Sequence, residues 1–334
     1  MALLGKDASA KRRQRNRDRA SKRTHDRVRA RPIIPGARVL VTRRCHDRRL
    51  FLSPYGDPRK GHTAEEMENF FGYTLARAAL KYGVQPHAAT QMGNHLHVSI
   101  TDVLGKRPDF KNSLHGNLAR GLNARFGRFD SVWSGGGSCD TVAPSDDESL
   151  DDLAYADCNP VTSGLVKWAH LWPGFSMYGW RFGESRTFRR PDWYYDPENP
   201  DNPEFITLTR VRPAIFEDLT DDQLFDKLMA RCIEIQRAKQ AAYKATNRRF
   251  MGLDKLAKTK WWKRAKSWED RFTQIPTVAA STKNKRIAQL KRDAKWRADY
   301  AEELAKFKAG QPATLPNGAY FLPRIYNVPV AQPP

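Results

Sequence analysis

The feature that most constrains the fold is a short segment of strict alternation, NHLHVSI at residues 94–100. Read as a β-strand, it places its aliphatic side chains on one face and two histidines on the other. An apolar strand face is buried against helices, so a sheet with two different faces is expected. His95 and His97 then project from the second face, roughly 7 Å apart along the strand. They are either ligands of one divalent metal ion or two surface histidines.

Patterns on both sides of this segment predict a ferredoxin-like sheet. The predicted order is a strand at 38–45, a helix at 63–82, a strand at 84–91, the histidine strand, a helix at 109–126 and a short strand at 130–134. A further helix ends or kinks at Pro160. This β-α-β-β-α-β order is typical of the antiparallel ferredoxin-like arrangement. The expected fold class is therefore α+β, with helices on one sheet face and the histidine face open for the last helix or a ligand.

The charge of the chain indicates a polyanionic partner. The formal net charge is +21 over 334 residues, which fits nucleic acid most simply, although ribosomal or membrane-surface binding fits charge alone. No apolar run is long enough for a membrane span, and the N-terminus lacks a signal-peptide core. The four cysteines are scattered without C-x-x-C spacing. This argues against a zinc ribbon or a disulfide framework and suits a reducing cytoplasm.

Composition shifts divide the chain into four predicted parts. Residues 1–31 form a basic arm, expected to be disordered, that is either attracted to phosphates or inert. Residues 32–185 form the sheet domain, and 186–204, crowded with Pro, Asp and Asn, are interpreted as a linker. Residues 205–334 are expected to form a basic, mainly helical C-terminal domain with long helices at 221–247 and 283–309. Trp261, Trp262 and Trp268 between these helices are either stacking platforms for bases or the core of that domain.

Two further polar residues fall on one face of the helix before Pro160. Tyr155 and Asn159 are four residues apart, so they share a helix face. If that helix crosses the open sheet face, it brings both side chains beside His95 and His97. Phosphodiester cleavage through a tyrosine needs a positioned phenol, a cation and a polar group that completes the metal shell. Spacing alone favours the structural alternatives, a packing tyrosine and a helix-ending asparagine.

Three motifs in order resemble those of the REP-associated tyrosine transposases, a branch of the single-tyrosine HUH endonucleases. The motifs are HLH at 95–97 after Gly93-Asn94, YADCNPVTSGLV at 155–166 and WPGFSMY at 172–178. The resemblance spans roughly residues 32–182. One segment departs from the family pattern. Where the family has a Trp-Gln-x-Arg-like segment, this chain has Trp133 followed by Ser134 and three glycines.

The resemblance implies a metal-dependent enzyme that nicks single-stranded DNA and transfers the cut strand. His95 and His97 would hold Mg²⁺ or Mn²⁺ with Asn159 as third ligand, and Tyr155 would form a 5′-phosphotyrosine and release a 3′-OH. The implied partner is single-stranded or hairpin DNA, and the implied location is the bacterial cytoplasm, with the nucleoid. Monomer and homodimer both remain open.

Two other functions fit part of the same sequence. The first is a domesticated protein that binds structured DNA or RNA without cutting it, with salt-sensitive binding that is indifferent to a chelator. The second is an RNA-associated structural protein, which would have no preference for DNA hairpins and would bind no metal.

Overall fold

The computed structural model describes residues 30–135, 137–142, 146–265 and 277–333. The predicted basic arm lies outside the described residues except for its last two positions, and Trp268 also lies outside them. The described residues belong to two compact units. Of the described residues, one unit contains those within 33–265 and 277–290, and the other contains 30–32 and 291–333.

A four-stranded antiparallel sheet forms the centre of the first unit. Its strands are β1 (Ala37–Arg44), β2 (Val84–Gln91), β3 (His95–Asp102) and β4 (Cys139–Thr141), in the spatial order β2-β3-β1-β4. Helix α1 (Ala64–Tyr82) connects β1 to β2, and helix α2 (Arg107–Phe126) connects β3 to β4. Each neighbouring pair is antiparallel. The predicted ferredoxin-like α+β fold is confirmed.

Local signals set the ends of α1 as the sequence predicts. The Thr63 side chain accepts a hydrogen bond from the backbone N–H of Glu66, and the Glu66 side chain accepts one from the N–H of Thr63. This capping box satisfies donors that the first helical turn leaves open. Gly83 ends the helix in the left-handed region, with φ of 62°. The aliphatic face of β3 is fully buried in the core that α1 and α2 cover.

The last strand of the sheet is not where the sequence analysis placed it. The predicted strand at 130–134 contributes an isolated bridge between Trp133 and Cys45, and β4 lies at Cys139–Thr141. The Trp133 indole donates to the carbonyl of His115 at 2.8 Å, which holds this segment in the core. In β4, the buried Asp140 carboxylate pairs with Lys111 at 2.6 Å. A strand held by charge pairs does not need alternating apolar residues, so its sequence does not mark it as a strand.

Two helices cover the open face of the sheet in successive layers. Helix α3 (Asp146–Thr162) lies against β2 and β3, and helix α4 (Asp221–Ala245) packs on α3. Leu224, Leu228 and Cys232 of α4 are fully buried in a core shared with α3. Helix α4 was predicted to belong to a separate C-terminal domain, and this assignment is wrong. Its apolar stripe is buried on the tyrosine-bearing helix because that surface carries matching small and aliphatic side chains.

The segment predicted as a linker is folded and buried in part. Strands β5 (Ser185–Arg189) and β6 (Phe205–Thr209) pair antiparallel at its two ends. Between them, Trp193 lies 4.9 Å from the Phe70 ring and Tyr195 lies 4.9 Å from the Tyr73 ring, both on α1. Pro, Asp and Asn mark turns here as expected. The three consecutive aromatic residues at 193–195 are the signal of burial that the linker interpretation overlooked.

The remaining α-helices of the described residues are α5 (Leu253–Ala257), α6 (Lys283–Lys308) and α7 (Phe321–Tyr326). Trp261 stacks on Phe126 with 4.4 Å between ring centroids and donates to Asp57 at 3.1 Å, so it belongs to the first unit. In the second unit, Leu315 is fully buried and forms one parallel bridge with Val330. No helix among the described residues has the length and apolarity needed to cross a membrane.

Candidate active site

His95 and His97 lie next to each other on the α3-facing side of β3. Their ring centroids are 4.8 Å apart and the rings are nearly perpendicular. The register places Thr42 of β1 and Thr90 of β2 opposite His97, on either side. His97 is 2% exposed. Because β3 is a central strand with a neighbour on each side, the His97 imidazole is enclosed by protein.

Hydrogen bonds at Nδ1 orient both rings. His95 Nδ1 donates to the side-chain oxygen of Asn94 at 2.7 Å. His97 Nδ1 lies 2.9 Å from the Thr42 hydroxyl. Metal-binding histidines are held by such a partner at the second nitrogen. Both rings therefore present Nε2 toward the space between β3 and α3.

The Nε2 atom of His97 has no hydrogen-bond partner within the described part of the chain, although it is buried. Buried polar atoms are normally paired, so an unpaired one needs an explanation. Burial is the largest factor that lowers the pKa of His97 well below its ordinary value, and the charges of His95 and Arg44 add to it. The imidazole is therefore neutral at physiological pH. A neutral imidazole with a free lone pair is the form that binds a cation.

Helix α3 brings Tyr155 and Asn159 to the same place. The Tyr155 ring meets the His97 ring edge-on with 5.1 Å between centroids. One turn later, the Asn159 side-chain oxygen lies 3.2 Å from His95 Nε2. Tyr155 is 46% exposed while Asn159 is buried. The structure thus brings together all four side chains singled out in the sequence, with the phenol at the open end of the site.

The residues present fit a Mg²⁺ or Mn²⁺ ion. The Asn159 oxygen, which accepts from Ser163 at 3.2 Å, lies 3.2 Å from His95 Nε2. Neighbouring ligands of Mg²⁺ at its usual bond lengths are about 3 Å apart, close to this separation. Among the described residues, no group of three or more His, Cys, Asp or Glu could hold a metal, so the set relies on an amide.

A buried ion pair that no sequence pattern predicted holds α3 on the sheet. Arg210 follows β6 and donates to Asp157 of α3 at 2.9 Å, and both side chains are fully buried. The same guanidinium donates to the carbonyls of His87, Met177 and Trp180. Asp157 lies between Tyr155 and Asn159 in the sequence. An aspartate at that place in a buried helix was the available signal, because a buried carboxylate requires a cationic partner.

The third motif, at 172–178, supports the edge of the sheet beside the site. The Trp172 indole donates to the carbonyl of Gln91 at 2.8 Å, and the N–H of Gln91 donates to the carbonyl of Phe175 at 2.9 Å. Ser176 bridges Thr90, the neighbour of His97 in the register. The segment therefore extends the sheet at β2 and holds the strand that flanks His97.

No protein-family model matches this sequence, and no curated protein matches it. Among solved structures, a REP-associated tyrosine transposase bound to a REP hairpin is similar to this chain, with 16% sequence identity and a TM-score of 0.32. The similarity covers 43% of this chain and 78% of that chain. Values this small establish neither a shared family nor a shared activity.

Proposed function

We propose that this protein nicks single-stranded DNA and transfers the cut strand through a 5′-phosphotyrosine on Tyr155, with Mg²⁺ or Mn²⁺ as cofactor. One observation carries the proposal: the Tyr155 ring lies against His97, 5.1 Å between centroids, in the same site where Asn159 meets His95. The phenol therefore lies beside two imidazoles that are each oriented by a hydrogen bond at Nδ1.

Tyr155 is the nucleophile in this proposal. Its oxygen attacks the phosphorus of a phosphodiester, the new O–P bond forms and the bond from phosphorus to the 3′-oxygen breaks. The phenolic proton passes to solvent, which the half-exposed position of Tyr155 permits, and the released 3′-oxygen takes up a proton. The phosphotyrosine conserves the energy of the broken bond. Attack by a 3′-OH on the same phosphorus reverses the step and joins strands.

His95, His97 and Asn159 hold the metal ion in this proposal. When bound, the ion supplies positive charge that stabilises the phosphate as it is attacked. Thr42 and Asn94 orient the two rings through their Nδ1 atoms. The net charge of +21 supports a polyanionic substrate.

A covalent trapping assay tests the nucleophile. The wild-type chain, incubated with Mn²⁺ and a pool of 3′-labelled hairpin oligonucleotides with randomised single-stranded flanks, is expected to form an adduct that survives denaturing electrophoresis. Tyr155→Phe is expected to abolish it, and Tyr82→Phe, at the end of α1, is the matched control and should leave it unchanged. A chelator should also abolish it.

Two results of this assay count against the proposal. Absence of an adduct from the wild-type chain, together with salt-sensitive hairpin binding that ignores the chelator, favours the non-cleaving alternative. An adduct that persists in Tyr155→Phe contradicts the assignment of the nucleophile.

A further inference from the structure

A basic cleft lies where the end of α4 meets the chain that follows α3. It has a volume of about 530 Å³, and its charged lining comprises Lys167, Arg237, Lys244, Arg248 and Arg249, around Tyr243. The five cationic residues are exposed, and none of them forms an ion pair within the described part of the chain. Five converging, unpaired positive charges repel each other, so the cleft is suited to an anion.

The charge is segregated along one helix. In the first half of α4, Arg231 binds both Asp151 and Glu234. Residues 235–253, in contrast, contain five Lys and Arg residues and no Asp or Glu. The helix dipole favours cations in the last turn, which accounts for Lys244. It does not account for Arg237 two turns earlier, or for Lys167, which comes from another segment.

The cleft is built by specific contacts. The aromatic ring of Tyr243 is 8% exposed and packs on Gly164, where an added Cβ would lie 2.1 Å from the Tyr243 hydroxyl. Phe250 packs against Tyr243 with 4.7 Å between centroids and the rings tilted by 32°. The Arg248 guanidinium lies over the same ring, 4.9 Å from its centroid. The position of Arg248 is therefore fixed by an aromatic floor.

Hydrogen bonds hold the other side of the cleft, which the segment after α3 forms. The N–H of Met251 donates to the carbonyl of Gly164 at 2.9 Å, and the Gln240 side chain donates to the carbonyl of Lys167 at 2.8 Å. The segment after α3 is thus attached to both α4 and the chain beyond it. Tyr155 lies on α3, whose last residue is Thr162, so about 10 Å of helix separates Tyr155 from this side of the cleft.

We propose that this cleft binds the phosphodiester backbone of single-stranded DNA, as a second contact outside the site at Tyr155. Several cations converging at the rim match the phosphates of a nucleic-acid backbone, and they select charge rather than sequence. In naming DNA as the occupant, the inference rests on the proposed function. It requires neither the metal nor the phenol, so binding is measurable without cleavage.

The test compares two double variants that remove the same charge. Arg237→Gln/Arg249→Gln alters the cleft, and Lys106→Gln/Lys227→Gln removes two exposed, unpaired cations elsewhere in the first unit. Both are made in the full chain carrying Tyr155→Phe, and binding of a fluorescent single-stranded 30-mer is measured by anisotropy in EDTA over a series of NaCl concentrations. Each lost phosphate contact lowers the slope of log K against log salt by about 0.7 for single strands.

The cleft variant is expected to lower that slope by about 1.4 and to weaken binding about tenfold at moderate salt, while the control variant changes it far less. Equal effects of the two variants, or no effect of the cleft variant, overturn the inference. If thermal unfolding shows that the cleft variant is misfolded, Lys167→Gln/Lys244→Gln replaces it with the same criterion. If the wild-type chain forms no covalent adduct while the cleft variant shows the slope change, the proposed function is contradicted and the cleft assignment stands.

Discussion

Arg210 and Asp157 form an ion pair in which both side chains are fully buried and guanidinium nitrogen and carboxylate oxygen are 2.9 Å apart. The pair joins the chain after β6 to the middle of α3. Burial raises the pKa of Asp157 while Arg210 opposes that shift. Because Asp157 lies two residues from both Tyr155 and Asn159, this contact sets the height of α3 above the histidine strand.

The first prediction concerns this pair. Arg210→Met leaves a buried carboxylate without its cation, and we expect a loss of about 3–5 kcal/mol in the free energy of unfolding. The double variant Arg210→Met/Asp157→Leu removes both charges and is expected to recover much of that loss. Urea unfolding measures both. A single variant as stable as the wild-type chain, or a double variant that is much less stable than the single variant, contradicts the role given to the pair.

The second prediction concerns the orientation of His97. Thr42→Val removes the hydroxyl that meets His97 Nδ1 but keeps the shape of the side chain. We expect affinity for Mn²⁺, measured by titration calorimetry, to fall about 10-fold, because the ring is no longer oriented. Thr42→Ser should retain affinity. Thr207→Val on β6 is the control and should leave Mn²⁺ binding as it is. Unchanged affinity in Thr42→Val removes Thr42 from the proposed site.

The third prediction concerns acid stability. Burial lowers the pKa of His87 to about 4. Its Nδ1 donates to the carbonyl of Val211 and its Nε2 accepts from the Thr101 hydroxyl, so the folded chain holds a neutral ring. The unfolded chain binds the proton first as pH falls, so stability is full above about pH 6.5 and declines toward pH 4. At pH 5 the loss due to His87 is about 2 kcal/mol.

Urea unfolding at pH 7 and pH 5 measures this loss of stability. His87→Gln is expected to reduce the loss of stability between the two pH values, whereas His46→Gln, at an exposed position, should not. His115 is also buried, and burial lowers its pKa to about 3, so some pH dependence remains in the variant. An identical pH dependence in wild type and His87→Gln refutes the assignment.

The fourth prediction tests how the segment once expected to be a linker docks on α1. An added Cβ at Gly72 would lie 2.3 Å from the Phe188 ring, so Gly72→Ala is expected to destabilise the chain by about 1–3 kcal/mol. Phe188→Leu should relieve the clash and reduce the effect in the double variant. Gly116→Ala on α2 meets the end of the flexible Arg120 side chain and should be neutral or stabilising, because alanine is the better helix former. Thermal unfolding of the wild-type chain, the two glycine variants and the double variant measures these effects. A neutral Gly72→Ala shows that Phe188 is not docked there.

Local sequence patterns predicted the elements that residues close together in the chain specify. The alternation at 94–100 placed His95 and His97 on one face of β3, and the cap at Thr63 placed the start of α1. The four-residue spacing placed Tyr155 and Asn159 on one helix face. The strand at β4 was missed because its stabilising contacts are charge pairs with α2 rather than an apolar face.

The sequence by itself determined the first three strands and the first two helices of the ferredoxin-like fold, because periodicity and helix caps act over a few residues. It also determined the strand face that carries the histidines and the helix face that carries the tyrosine. Only the tertiary structure decided that α4 belongs to the same unit as the sheet, and that Arg210 reaches Asp157 across 53 positions of chain. It also decided that the Tyr155 ring rests on His97. Contacts of this kind depend on how distant segments share buried surface and compensate buried charge, and no local pattern encodes that choice.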